Sequence, residues 1–319
     1  MRRFLEKVPY PIAGLMLAYA ALGNLLAKPI GSNAKLVCAI LASFILVVLI
    51  LKMIILPNSI KKAFGILPVA SVMATLPMGM MLLSVYAKPY VGIVAMVLWA
   101  LGLMLNIGII IAFSIKYLVP WNIKNVYASY FVTYVGIVCA SVTAKAFHMD
   151  GVGVGAFIFG LVSYGILIPI VFWRYIKYPI QKELLKPLII IFAAPANLLV
   201  VGYVQLGLQW SNMLLTVLWG IGILTTLFAW VQLLRLYRLK FYPSYSAYTF
   251  PLVIGATSTM QYFNYISRAQ TGLEWIGYIG KIQMAVCTFA VFYVTLRYAA
   301  ALFFTRAVES EVVDARPAR

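Results

Sequence analysis

Acidic side chains are almost missing from this chain: seven Asp and Glu stand among 319 residues. They are Glu6, Asp150, Glu183, Glu274, Glu309, Glu311 and Asp314, and each falls in an expected loop, helix end or tail. A proton-driven carrier commonly keeps a carboxylate or histidine at membrane depth as its relay, and a cation pore needs an acidic ring. Neither has residues here, because the single histidine, His148, is expected near an outer mouth. Three cysteines, Cys38, Cys139 and Cys287, lie in apolar runs without metal-ligand spacing, so no disulfide framework or metal site is expected of them. No HExxH, CxxC or GxSxG occurs, and the glycine-rich stretch Gly151 to Gly155 lacks the Gly-Lys-Ser/Thr of a phosphate loop. Enzyme, metal and cofactor chemistry are therefore not expected.

What the chain has instead is apolar length. Residues of the apolar class make up 64% of it, charged residues only 10%, and the mean hydropathy is +0.99. A soluble domain is about 25% charged. The net charge of +18 would suit nucleic acid in a soluble protein, but its placement argues for a membrane. Six cations, Lys28, Lys35, Lys88, Lys145, Arg268 and Lys281, fall on one side of the expected spans, which leaves 25 − 6 = 19 on the other. That bias puts both termini in the cytoplasm and the chain in the cytoplasmic membrane. No small-residue cleavage pattern ends the first apolar run, so it reads as a retained helix.

A repeat gives the architecture. Lys7, Lys62, Lys124, Lys182 and Lys240 each open a basic cluster followed by two long apolar segments with a polar break between them, at spacings of 55, 62, 58 and 58 residues. A period near sixty fits a helical hairpin that crosses a bilayer twice. Five hairpins predict an all-α integral membrane protein of ten helices in a single transmembrane domain over 1–319. About 8–305 is expected to be embedded, and 306–319 to form a short cytoplasmic tail. Helix 1 is expected over Tyr10 to Ala27, helix 2 over Leu36 to Leu56, helix 3 over Ile66 to Tyr86, helix 4 over Tyr90 to Ile115 and helix 5 over Val126 to Phe147. Helix 6 follows over Val154 to Ile176, helix 7 over Leu188 to Leu206, helix 8 over Leu214 to Leu236, helix 9 over Tyr245 to Ile266 and helix 10 over Trp275 to Phe304.

The two helices of each hairpin differ. Helix 2 has hardly a polar atom from Phe44 to Leu51, and helices 4 and 8 are similar apart from Asn106, Thr225 and Thr226. The odd helices carry the prolines, glycines and hydroxyls: Pro11 and Gly14, Pro68 and Pro77, Gly136 and Ser141, Pro195 and Asn197, Pro251 and Gly255. A proline inside a helix leaves a carbonyl without its partner and bends the helix. Such bends are tolerated at membrane depth where protein or a watery cavity covers them. Odd helices inside and even helices outside is the arrangement this predicts; close packing of small residues is the other reading. Pro169 in helix 6 breaks the rule, and helix 5 has no proline.

Candidate site residues follow from the inner faces. Tyr130, Tyr134, Ile137, Ser141 and Lys145 form a stripe at helical spacing on helix 5, and Phe250, Thr257, Gln261 and Asn264 form one on helix 9. Phe250 precedes Pro251, which pushes its backbone from helical geometry. A ring beside a bend can close a passage, because a hydrophobic constriction excludes water and with it any ion; packing is the alternative role. Lys145 and Lys281 either attract anions or snorkel to headgroups.

At these residues the chain resembles the tellurite-resistance/dicarboxylate transporter family, which includes bacterial TehA proteins and the plant slow anion channel. The stretch Tyr245 to Pro251 is similar to the family's helix 9 motif, Pro9 to Leu22 to its first helix, Ala193 to Ala196 to its helix 7 proline motif, and Ile66 to Pro68 with Thr75 and Pro77 to its helix 3. Thr133 stands where the TehA-like members often have proline. The resemblance implies a quasi-fivefold pore in each protomer, a homotrimer, transport of small inorganic or carboxylate anions, and occlusion of the pore by Phe250. By the same likeness Gly14 lies near the constriction, and Ala18, Thr75, Gly136, Ser141, Pro195, Asn197, Thr257 and Gln261 are candidates to line the path. Lipid is then the only other expected partner. A passive anion channel is the leading expectation, and a proton-linked carrier of dicarboxylate, sulfite or tellurite the alternative.

Overall fold

In the computed structural model, residues 1–268 and 271–304 are described; the tail expected over 306–319 lies outside them. Among the described residues every regular element is helical, and eight helices are long and apolar enough to cross a membrane. They are Ser32–Ile55 (helix 2), Leu67–Ala87 (helix 3), Gly92–Leu118 (helix 4), Tyr130–Phe147 (helix 5), Asp150–Lys177 (helix 6), Glu183–Leu206 (helix 7), Asn212–Leu236 (helix 8) and Glu274–Phe303 (helix 10). Helix 1, Tyr10–Leu26, is apolar but shorter. Helix 9 joins a 3-10 turn, Pro243–Tyr248, to the helix Phe250–Ile266. The molecule is an all-α membrane protein. Helices 6 and 7 begin some four or five residues earlier than the hydropathy suggests.

The division between odd and even helices is physical. In the most apolar stretch of helices 3, 5 and 7, 78–83% of residues are buried, against 22–33% in helices 2, 4, 6, 8 and 10. The even helices turn residues such as Leu36, Ile40, Phe44, Ile93, Ile166, Leu224 and Phe289 outward, a surface that hydrocarbon solvates and water does not. The odd helices close a ring: helix 1 packs on helix 3, helix 3 on helix 5, helix 5 on helix 7, helix 7 on helix 9, and helix 9 on helix 1.

Each odd helix is interrupted, and the interruptions lie at one level. Helix 1 changes from 3-10 to α at Ala13, helix 3 is broken between Val72 and Thr75, and helix 5 between Val135 and Val138. Helix 7 runs as 3-10 to Ala193 before its α segment, and helix 9 restarts at Phe250. The segments on the N-terminal side of the breaks form a second ring of their own beneath the first. Prolines do not act as mid-helix kinks here, and that expectation is corrected. Pro11, Pro68, Pro195 and Pro251 occupy the first two positions of the segment that follows each start or break, and Pro77 is the third residue of its segment. A first helical turn has no use for the missing N–H, so proline starts a segment at little cost. Helix 5 breaks without proline at Gly136 and Ile137. Pro169 lies inside a continuous helix 6.

Candidate functional site

Three cavities lie in line along the ring axis. On the face that carries the N-terminus, a cavity of about 360 Å³ is lined by Lys7, Lys52, Lys62, Glu6, Tyr10 and Ser59, among others. On the opposite face a cavity of about 1090 Å³ opens. A narrow space of about 40 Å³ lies between them, shares Val72 and Ser246 with the first, and shares Leu198 and Phe250 with the second. Its volume admits at most about three water molecules, well short of a hydrated anion.

All five breaks supply the wall of the narrow space. Gly14, Thr75, Gly136, Pro195 and Phe250, one from each odd helix, line it together. Breaking a helix frees backbone from its rigid cylinder, and small residues there let five helices approach one axis. A Cβ at Gly14 would lie 3.0 Å from the Ser246 Cβ, and one at Gly136 would lie 2.2 Å from the Val132 carbonyl oxygen. No lining residue is charged. The Thr75 hydroxyl donates to the Val72 carbonyl (2.7 Å), so it is spent on its own helix. Phe250 is 5% exposed and stands at the first position of its segment, after Thr249 at φ −106°, ψ −83°. Thr249 donates to the carbonyls of Ser246 (2.6 Å) and Gly14 (3.3 Å), which ties the turn below the ring to helix 1.

The large cavity is cationic. Lys28, Lys35, Lys145, Arg268 and Lys281 line it, with no carboxylate among the described residues, and Asn24, Gln205, Gln209, Gln261 and Asn264 add amides. Thr257 also faces it, its hydroxyl donating to Val253 (2.8 Å). The helix 9 stripe is therefore brought to one surface as the spacing predicts. The helix 5 stripe is not. The break at Gly136 turns its two halves apart: Tyr130 and Tyr134 pack edge-on against Phe113 of helix 4, and the Tyr134 hydroxyl pairs with the Ser114 hydroxyl (2.8 Å).

Three other candidates lie away from these cavities. Ala18 is fully buried between helices. Ser141 donates to the Gly153 carbonyl of helix 6 (2.8 Å). Asn197 points outward to helix 8, its amide donating to Gly222 (3.2 Å) and Thr226 (3.0 Å) and back to Ala193 (2.7 Å), which holds the carbonyl at the break of helix 7. A polar side chain on a ring helix has two places to find partners, and these two found them behind the pore. Asn197→Ala is thus expected to lower the unfolding midpoint by the equivalent of about 1 kcal/mol while leaving ion selectivity unchanged. Thermal unfolding in detergent and vesicle flux check the two halves of that statement. Sequence reasoning missed Val72, Met78, Val132, Val135 and Leu198, which line the narrow space, because an apolar pore residue reads like a core residue.

The family model described as SLAC1, voltage-dependent anion channel, matches residues 8–299. The chain belongs to this family. The match runs from the start of helix 1 into helix 10, and the SLAC1 membership makes the protein an anion channel or transporter, in a family of conduits rather than enzymes. No curated protein matches the chain.

Proposed function

We propose that this SLAC1-family protein conducts small anions passively along the axis of its own ring, and that Phe250 closes the path. One observation carries the reading: an uncharged space of about 40 Å³ separates two cavities whose charged lining residues are nearly all cations. Cations in the cavities concentrate anions at both mouths, while the apolar neck rejects whatever cannot shed its water. The ring closes within one chain, so a protomer needs no neighbour to complete its path; the expected assembly is a homotrimer of such paths in the cytoplasmic membrane, with both termini cytoplasmic.

Coupled transport of dicarboxylate, sulfite or tellurite is the weaker reading. The neck holds no titratable group to carry a proton. Desolvation cost grows with the square of charge, so a dianion costs about four times as much as a monoanion of the same size at a site with no compensating cation. A reversal-potential series on the purified Phe250→Ala variant in bilayers tests this. Nitrate and chloride should set the potential, with sulfite dianion and malate contributing little. Flux that follows an imposed pH gradient instead of anion gradient and voltage would overturn the channel reading.

A further inference from the structure

Four of the five even helices end in the same contact on the N-terminal face. Lys52 Nζ of helix 2 donates to the Val8 carbonyl (2.5 Å), and Lys116 Nζ of helix 4 to that of Phe64 (3.1 Å). Arg174 Nη2 of helix 6 donates to the Lys124 carbonyl (3.0 Å), and Arg297 Nη2 of helix 10 to that of Leu239 (3.0 Å). Each acceptor lies just before the odd helix of the same hairpin. Each cation also lies over an aromatic ring: Lys52 over Tyr10 at 5.0 Å, Lys116 over Phe64 at 5.5 Å, Arg174 over Tyr127 at 4.8 Å and Arg297 over Tyr245 at 5.4 Å. A carbonyl and a ring face are both good partners for a cation at an apolar boundary. The contact therefore fastens each outer helix to the start of its inner one.

Lys52 does a second thing that the other three do not: it lines the cavity of about 360 Å³ on the N-terminal face. It is 5% exposed, so its charge is poorly screened by water. Lys7 and Lys62 line the same cavity, against one carboxylate among the described residues, Glu6, whose Oε1 lies 3.5 Å from Arg2 Nε. Tyr10, Ser59, Tyr242, Ser244 and Ser246 add hydroxyl groups to the lining, and Ser246 is shared with the neck. Ser59 donates to the Leu56 carbonyl (2.6 Å), Ser244 to that of Leu184 (2.5 Å), and Tyr10 pairs with Ser59 (2.7 Å), so the ammonium groups are the donors left for an anion. We propose that Lys52 is the centre of an anion-binding site at the N-terminal mouth of the neck, where a small monovalent anion exchanges part of its water for ammonium groups before it enters. The inference rests on the channel reading for its purpose, though not for its test.

The repeated contact supplies the control. Lys116→Met breaks the same fastening without removing a side chain that lines the cavity, whereas Lys52→Met breaks the fastening and removes the buried cation. In detergent, with sodium nitrate replacing sodium gluconate at constant ionic strength, the unfolding midpoint of the natural chain should rise and saturate. Both variants should start from a lower midpoint; the nitrate-dependent rise should persist in Lys116→Met and vanish in Lys52→Met. A rise that survives in Lys52→Met, or is lost in both, overturns the site. Should Lys52→Met not fold, Lys7→Gln with Lys62→Gln weakens the same field without touching the contact. It should raise the half-saturating nitrate several-fold, and an unchanged value overturns the site. In vesicles of Phe250→Ala, adding Lys52→Met should raise the half-saturating nitrate about tenfold from the N-terminal face and leave the opposite face as it was. Equal changes from both faces also overturn it. If Phe250→Ala passes no anion, the channel reading fails, and the nitrate-dependent midpoint still decides Lys52.

Discussion

Phe250→Ala is expected to raise nitrate flux through the reconstituted protein roughly a hundredfold, the equivalent of about 2.7 kcal/mol taken from the barrier. The ring lines both the neck and the large cavity and is 5% exposed, so it stands where the two meet. Its backbone has little freedom to move the ring aside. Pro251 follows it, and Thr249 before it is tied to Ser246 and Gly14. Removing the ring widens an uncharged neck, and hydration of such a neck falls steeply as it narrows. The ring also belongs to the buried apolar core, so its loss should lower the unfolding midpoint as well. Stopped-flow flux in vesicles, with the unfolding midpoint as a check on folding, measures both. Unchanged flux from a folded, inserted variant would remove Phe250 from the barrier.

Gly136→Ala is expected to cost about 1–3 kcal/mol of stability, in the range of other overpacking changes. The backbone at Gly136 is ordinary right-handed helix, φ −57° and ψ −24°, so conformation is not the reason for glycine. Space is the reason. A Cβ there would meet the Val132 carbonyl at 2.2 Å and Met78 Sδ at 2.6 Å. The sulfur can swing away on its flexible side chain, but the carbonyl belongs to the preceding turn and has nowhere to go without reshaping the break in helix 5. Gly108→Ala in helix 4 provides the contrast, since nothing lies within 4 Å of its added Cβ. There the gain in helix propensity, about 1 kcal/mol in soluble hosts, should leave the midpoint unchanged or raised. The two unfolding midpoints, measured side by side in one detergent, check the prediction. A neutral Gly136→Ala would mean that helix 5 is broken by something other than close approach.

How far the site was legible can be seen residue by residue. Gly14, Thr75, Gly136, Pro195 and Phe250 were nominated from odd helices and a family likeness, and they line one space in the structure. Ala18, Ser141 and Asn197 were nominated by the same reasoning and lie elsewhere. A one-dimensional pattern states that a side chain is polar or small. It does not state whether the partner is an ion path or the neighbouring helix, because both faces of a ring helix are buried. Lys52 shows the same limit in reverse. It reads as one more cation at the end of an apolar helix, and only folding brings it beside Val8, Tyr10 and the mouth of the neck.

The amino-acid order alone determined the ten helices, their pairing into five hairpins and which member of each pair faces lipid, because hydropathy and the sixty-residue period are local quantities that the bilayer enforces. It also gives no residue from which to expect a carboxylate relay, since its seven acids fall in expected loops, helix ends and tail. Tertiary structure decided the rest. Five interruptions had to come to one level before small residues from five helices formed a neck, and helix 5 reached that level with a glycine where a proline was the expected sign. The width of that neck depends on distances between residues as far apart as Gly14 and Phe250, and no local rule carries such a distance.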